Sequence, residues 1–154
     1  MKGNQEVLDN LNANLAEELT AINQYILHGE MCANWGYSKL HEKIEKRAID
    51  EMKHAEMLIE RILFLEGQPI VSKLDPMHIG STVMKQLEDD KEAEVNAIKM
   101  YNDAVALTTK LGDNGTKVMV ESILQDEEAH LDWIEEQLDQ IGQMGYEFWL
   151  NNQI

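Results

Sequence analysis

Cysteine is nearly absent from this chain of 154 residues: Cys32 stands alone, so no internal disulfide can form. Proline is scarce as well, and Pro69 and Pro76 both fall near the middle. No run of about 18 apolar residues occurs, which excludes a membrane-spanning helix. The start, Met1 to Glu6, lacks the apolar stretch of a secretory leader, so the cytoplasm is the expected address. Basic side chains are few, 13 against 29 acidic ones. The formal net charge of -16 repels nucleic acid and anionic membranes and favours cations, metal ions included. The length fits one domain over residues 1–154.

What the chain does have is helical periodicity, with no strand pattern to compete. From Glu6 to about Asn34, Leu8, Leu11, Leu15, Ile22 and Ile26 recur at the three-and-four spacing of one helical face. Gly36 breaks that helix and Ser38 is placed to cap the next, which Leu40, Ile44, Leu58, Ile62 and Leu65 carry to just before Gly67. Between Gly67 and Ser81 the period disappears, and Gly67, Pro69, Pro76 and Gly80 make a connection too long for a tight hairpin. A third helix is predicted from about Thr82 to Leu111 on Met84, Leu87, Ile98 and Val105, stopping at Gly112-Asp113-Asn114-Gly115. A fourth carries Val120, Ile123, Leu124, Ile134, Leu138 and Ile141 and ends at Gly142 and Gly145. The tail from Tyr146 to Ile154 forms either one short extra helix or an apolar plug for a neighbouring subunit. Two short loops flanking one long crossover between helices two and three are the connectivity of an all-α, ferritin-like four-helix bundle rather than of an up-down bundle.

Sliding the chain along itself by 76 residues aligns Glu18-Leu-Thr-Ala-Ile-Asn-Gln-Tyr25 with Glu94-Val-Asn-Ala-Ile-Lys-Met-Tyr101. The same shift aligns Asp50-Glu51-Met-Lys-His54 with Asp126-Glu127-Glu-Ala-His130, and Gly36 with Gly112. The first helical pair therefore reads as a copy of the second, and the two halves are expected about a pseudo-twofold axis.

The acidic residues of this repeat sit inside the apolar stripes. Glu18 falls between Leu15 and Ile22, Glu94 between Leu87 and Ile98, Glu51 and His54 between Ile44 and Leu58, and Glu127 and His130 between Leu124 and Ile134. Four carboxylates and two imidazoles thus point into one interior, where an unpaired charge costs several kcal/mol. Arg47 and Lys91, each one turn before a carboxylate, are the only basic residues near that level and cannot neutralise all four. Two metal ions would cancel the charge and give every ligand atom a partner. Residues three apart on a helix face the same way and can serve neighbouring or shared ions. A Glu from each of two helices plus Glu-x-x-His from each of the other two is recognised as the di-iron carboxylate pattern of this fold class, and mixed oxygen and imidazole ligands suit iron or manganese.

At these residues, and over essentially its whole length, the chain resembles bacterioferritin. The resemblance implies a shell of 24 subunits around a cavity that stores ferric mineral, with Glu51 and Glu127 bridging two irons, Glu18 and Glu94 each ligating one, and His54 and His130 completing the pair. It implies a ferroxidase that oxidises Fe(II) with dioxygen or peroxide, and a ferredoxin-type electron donor for release. The second Glu-x-x-His separates the chain from eukaryotic ferritins. Met52 matches the methionine through which paired subunits of that family share a b-type haem, and one residue after Glu51 it is rotated about 100° off the core stripe and should point outward. Tyr25 matches an accessory residue near the centre, whereas Tyr101 and Trp133 are expected to be packing residues. One departure is Lys46, where some members carry a histidine that helps form an iron site on the inner surface with the residue matching Asp50. His28, His41 and His78 are expected at the surface.

A rubrerythrin-like di-iron oxidase or peroxidase is the rival of the same chemistry, but it usually adds a domain with paired Cys-x-x-Cys, which Cys32 alone rules out. A structural bundle with a chance acidic core is the rival without chemistry, and metal addition should not stabilise it.

Overall fold

Three of the four long helices begin where a short polar side chain turns back onto their first free N–H groups. A computed structural model describes residues 1–154, and it is helical without strands. Helix α1 spans Gln5–Asn34, α2 Ser38–Phe64, α3 Val83–Lys110, α4 Asn114–Met144 and α5 Tyr146–Asn151. Asn4 accepts from the backbone N–H of Glu6, Thr82 from that of Lys85, and Asp113 from that of Thr116. Helix α2 departs from the expectation, because Ser38 is its first helical residue and the cap position belongs to Tyr37, which makes no side-chain bond. The reason is the tightness of the turn. Gly36, at φ 88°, lets the N–H of Tyr37 return to Cys32 O at 2.9 Å, so Ser38 is already helical. Gly112 repeats the device at φ 69°. Of the two glycines expected to end α4, only Gly145 does so, and Gly142 lies inside the helix.

Helix α1 packs along α2 and α3 along α4, while α1 meets α3 and α2 meets α4 across the bundle. The interior falls into two apolar clusters. One joins Leu8, Leu11 and Leu15 to Leu58, Ile62, Ala104, Val120 and Ile123; the other joins Cys32, Leu40, Ile44, Val83, Leu87, Ile134 and Ile141. At roughly 1.5–3 kcal/mol per large apolar side chain these are the main stabilising contribution. Ile26 was placed on the core stripe by its spacing but is 51% exposed. Each four-residue step turns 400°, so the steps 18, 22, 26 drift off the stripe while Tyr25, His28, Gly29 and Cys32 take over the buried face.

The crossover runs the length of the bundle and is stitched to α1 by a polar row. Asn12 Oδ1 accepts from Ile70 N at 2.9 Å, Thr20 Oγ1 from Asp75 N at 2.8 Å, Gln24 Oε1 from His78 N at 3.2 Å and His28 Nε2 from Gly80 N at 3.0 Å. Without that row, a connection lacking regular structure would leave backbone donors unsatisfied. The tail resolves to the short helix: Trp149 is 1% exposed and donates to Gln137 Oε1 at 3.3 Å, so α5 seals its own bundle.

Candidate metal centre

Between the two apolar clusters each of the four long helices turns a charged side chain inward. Glu18 comes from α1, Glu51 and His54 from α2, Glu94 from α3, and Glu127 and His130 from α4, and all six are buried. They form two overlapping groups, Glu18, Glu51, His54 and Glu127, then Glu51, Glu94, Glu127 and His130, each with one atom per residue within 4.8 Å of the others. Glu51 and Glu127 belong to both.

The two imidazoles point the same ring nitrogen inward. His54 Nδ1 lies 3.2 Å from Glu51 Oε2, 2.9 Å from Glu127 Oε1 and 3.6 Å from Glu18 Oε1. His130 Nδ1 lies 2.9 Å from Glu51 Oε1 and 3.6 Å from Glu94 Oε1. Their outer Nε2 atoms are held by Asp126 Oδ2 at 2.8 Å and Asp50 Oδ2 at 3.1 Å, each from the helix opposite. An outer carboxylate of this kind fixes the ring and leaves the inner nitrogen free to ligate. The terminal glutamates are held in the same crossed fashion: Tyr25 donates to Glu94 Oε1 at 2.7 Å, and Tyr101 donates to Glu18 Oε1.

Despite this crowding, Glu18 Oε2, Glu51 Oε1, Glu94 Oε2, Glu127 Oε1 and His130 Nδ1 have no hydrogen-bond partner, although all are buried. Glu51 Oε1 and His130 Nδ1 are 2.9 Å apart, yet their directions do not make a bond. Such atoms are aimed at common points rather than at one another, which is how a ligand set for a metal pair is arranged.

Burial and neighbouring charges set which groups of the cluster hold protons. Burial pushes Glu18 and Glu127 well above the ordinary carboxylate range, and the neighbouring carboxylates push them further. Burial also opposes ionisation of Glu51, but the adjoining Glu18 carboxyl and the imidazoles of His130 and His54 hold it well below that range. Glu94 is lowered against burial by His130 and Arg47. Burial works against the imidazolium form of both histidines, but Glu127, Glu18 and Glu51 raise His54 far above its ordinary value, and Glu51 and Glu94 raise His130 to about 10. Protons therefore balance the carboxylates, and bound cations would displace them.

Several expectations need correction. Tyr101 is no mere packing residue, because its hydroxyl holds Glu18 as Tyr25 holds Glu94. Lys91 does not reach the carboxylates: its long side chain runs outward and pairs with Glu135 of α4 at 3.0 Å, at the surface. His28 is fully buried against Asp90, because it lies on the face that receives the crossover. His41 is half-buried, with Nδ1 3.0 Å from Gly29 O, whereas His78 is exposed as expected. Met52 lies outside the centre and is 45% exposed on the outer face of α2. The sequence reading missed the roles of Asp126, Asp50 and Asp90. The first two were marked by the repeat itself, which carries Asp immediately before each Glu-x-x-His.

Residues 8–144 match the family described as the ferritin-like domain. The chain is 42% identical to a bacterioferritin of Rhodobacter capsulatus over 149 residues, which cover 95% of this chain and 92% of that one. It is 41% identical to a bacterioferritin of Brucella melitensis, covering 96% and 91% of the two chains. A bacterioferritin of Mycobacterium leprae shares 38% identity, covering 97% and 94%.

Proposed function

The chain belongs to the ferritin family, on its bacterioferritin branch, and we propose that Glu18, Glu51, His54, Glu94, Glu127 and His130 are the ligands with which this iron-storage ferroxidase holds two iron ions. The observation that carries the ligand assignment is the set of five buried, unpartnered ligand atoms converging between two apolar clusters. Glu51 and Glu127, shared by both groups, would serve both ions, while Glu18 with His54 and Glu94 with His130 would each serve one. When bound, the pair supplies two one-electron reductants side by side, so dioxygen or peroxide receives two electrons in one encounter. The carboxylates offset the rising positive charge as Fe(II) becomes Fe(III). Asp126 and Asp50 hold the outer N–H of His54 and His130, so that each Nδ1 is presented to metal once its proton has left. Tyr25 and Tyr101 keep the terminal carboxylates in place while ions enter and leave.

We further propose that residues 1–154 act as one di-iron domain within a shell of 24 subunits that stores ferric mineral. Met52 would offer its thioether as a ligand to the iron of a b-type haem shared by paired subunits. Its thioether is exposed, as is Ile49 one turn earlier, so that face offers both a soft ligand and apolar surface for a porphyrin. A ferredoxin-type donor delivers electrons for release. No helix is long and apolar enough to cross a membrane, and the cytoplasm is the proposed location. The rubrerythrin-like alternative is not favoured, since the relatives are bacterioferritins and the one cysteine is buried against Gln86.

Anaerobic addition of Fe(II) to metal-free protein, followed by oxygen, tests the assignment. Ferric absorbance should show a fast phase that ends at about two irons per subunit and is lost in Glu51→Ala, on a large hollow particle by light scattering. A small oligomer that stops at that stoichiometry would point to an oxidase without storage. No saturable uptake would overturn the metal reading altogether.

A further inference from the structure

The pseudo-twofold repeat holds through the metal layer and fails one turn beyond it. The shift that pairs Glu18 with Glu94 also pairs Ile123 with Arg47, Asn14 with Asp90, Ala104 with His28 and Met100 with Gln24. On one side the layer borders hydrocarbon and an amide; on the other it borders a buried guanidinium.

That guanidinium is fixed from several directions. Arg47 is 2% exposed, and its Nη2 donates to Glu94 Oε1 at 3.1 Å while Nη1 donates to Asp90 Oδ2 at 3.3 Å. Its Cζ lies 4.2 Å from the centre of the Tyr25 ring and 5.9 Å from a Trp133 ring. Asp90 is held in turn by Gln24 Nε2 at 2.9 Å and His28 Nδ1 at 2.8 Å. Because His28 Nε2 accepts the N–H of Gly80, the proton of the neutral ring sits on Nδ1 and is donated to Asp90. Gln24 and His28 thus anchor the Arg47–Asp90 pair to the crossover.

Two consequences bear on cations. Glu94 Oε1 already accepts from both Tyr25 and Arg47, whereas Glu18 Oε1 accepts from Tyr101 and has beside it only the ionisable His54, so each carboxylate keeps Oε2 uncommitted but only Glu94 touches a permanent cation. Moreover, a guanidinium cannot shed its charge when metal arrives. Asp90 balances that charge overall, but the positive end of the pair touches Glu94.

We propose that Arg47, clamped by Asp90, is a positioning residue that makes the two half-sites unequal, so that a divalent cation is held more tightly by Glu18 and His54 than by Glu94 and His130. The pair then loads in order, and the weaker half is the one beside the surface opening lined by Lys43, Lys46, Asp50, Asp126, His130 and Trp133. This inference rests on the six-ligand reading given above.

Zn(II), which is redox-inert, provides the test on the whole metal-free protein. Calorimetric titration should resolve two steps differing by on the order of tenfold in affinity. Crystals soaked with one equivalent should show anomalous density mainly at Glu18 and His54. Arg47→Ile combined with Asp90→Asn, which copies the counterparts Ile123 and Asn14, should merge the steps, whereas Arg47→Lys should keep them apart. Equal density at both half-sites, density favouring His130, or a folded double variant that keeps the full gap would overturn the inference while leaving the metal pair intact. If the double variant does not fold, the soak of the unaltered protein decides. Absence of Zn(II) from both half-sites would instead overturn the six-ligand reading.

Discussion

On one side of the six-ligand layer the bundle is filled with Leu11, Leu15, Leu58, Ile62 and Ile123; on the other, equally buried positions hold Arg47, Asp90, His28, Gln24 and Gln86. Both ends descend from the same repeat, so the difference reflects what each must touch. The crossover passes from one end of the bundle to the other only once and has no counterpart in the second half. Its last turns before α3, at His78 and Gly80, bring unsatisfied N–H groups to Gln24 and His28, and those side chains in turn require Asp90. The counterparts Met100 and Ala104 face no such strap. Symmetry survived where a metal pair needs the ligands twice and was lost where the surroundings are not symmetric.

The most severe way to break the comparison is at its centre. Glu51→Ala and Glu127→Ala remove corresponding shared carboxylates, and each should reduce the fast oxidation phase by roughly 100-fold or more, beyond what loss of an outer partner does. Stopped-flow ferric absorbance checks this, and a large inequality between the two would show that the halves are not equivalent bridges.

Next in size is the contrast between Arg47 and its counterpart. Arg47→Met leaves Asp90 and Glu94 buried without their cation and should destabilise the metal-free protein by about 3–5 kcal/mol. Ile123→Val should cost about 0.5–1.5 kcal/mol. Denaturant unfolding separates them, and similar losses would mean that the polar end is held by packing alone.

The balancing protons predict a pH dependence. The proton on His130 is held to about 10 in the folded chain against 6.5 ordinarily, so its stabilisation is complete below pH 6.5 and is lost as pH rises through about 10. The raised carboxyls of Glu18 and Glu127 act in the same direction. The metal-free protein should therefore melt at lower temperature as pH rises over that window, while the stabilisation gained from added metal grows. Scanning calorimetry at constant ionic strength measures both, and a metal-free melting temperature that rises with pH would contradict the proton balance.

The smallest effects sharpen the comparison of the two short loops, in which Tyr37 and Asp113 are counterparts. Asp113 caps α4 and also accepts from Arg61 at 3.2 Å, so Asp113→Ala should cost about 1–2 kcal/mol. Ser38→Ala at the corresponding helix start should change stability by less than about 0.5 kcal/mol, because Ser38 makes no cap. Thermal unfolding of both variants checks the ordering.

The number of helices, the crossover and the inward-facing Glu-x-x-His pairs were legible because each is a periodic or repeated feature of one strand of text. Local geometry at single residues was less legible: Ser38 has the right chemistry for a cap, but a tight glycine turn made it helical first. The spacing of Ile26 suited the core, yet the slow drift of a long helix carried it outward. Tyr101 looked like packing because a hydroxyl on an apolar stripe has no visible partner until α1 and α3 are side by side.

What the sequence determined by itself is which side chains share a helical face, since 3.6 residues per turn is a property of the backbone, and with it the ligand types, their doubling and the outward direction of Met52. The tertiary structure alone decided who meets whom across helices: Asp126 with His54, Asp50 with His130, Tyr101 with Glu18, and Arg47 with both Glu94 and Asp90. Those pairings join residues 43 to 83 positions apart. They depend on the relative height and rotation of packed helices, which the close filling of the interior sets and no local period encodes.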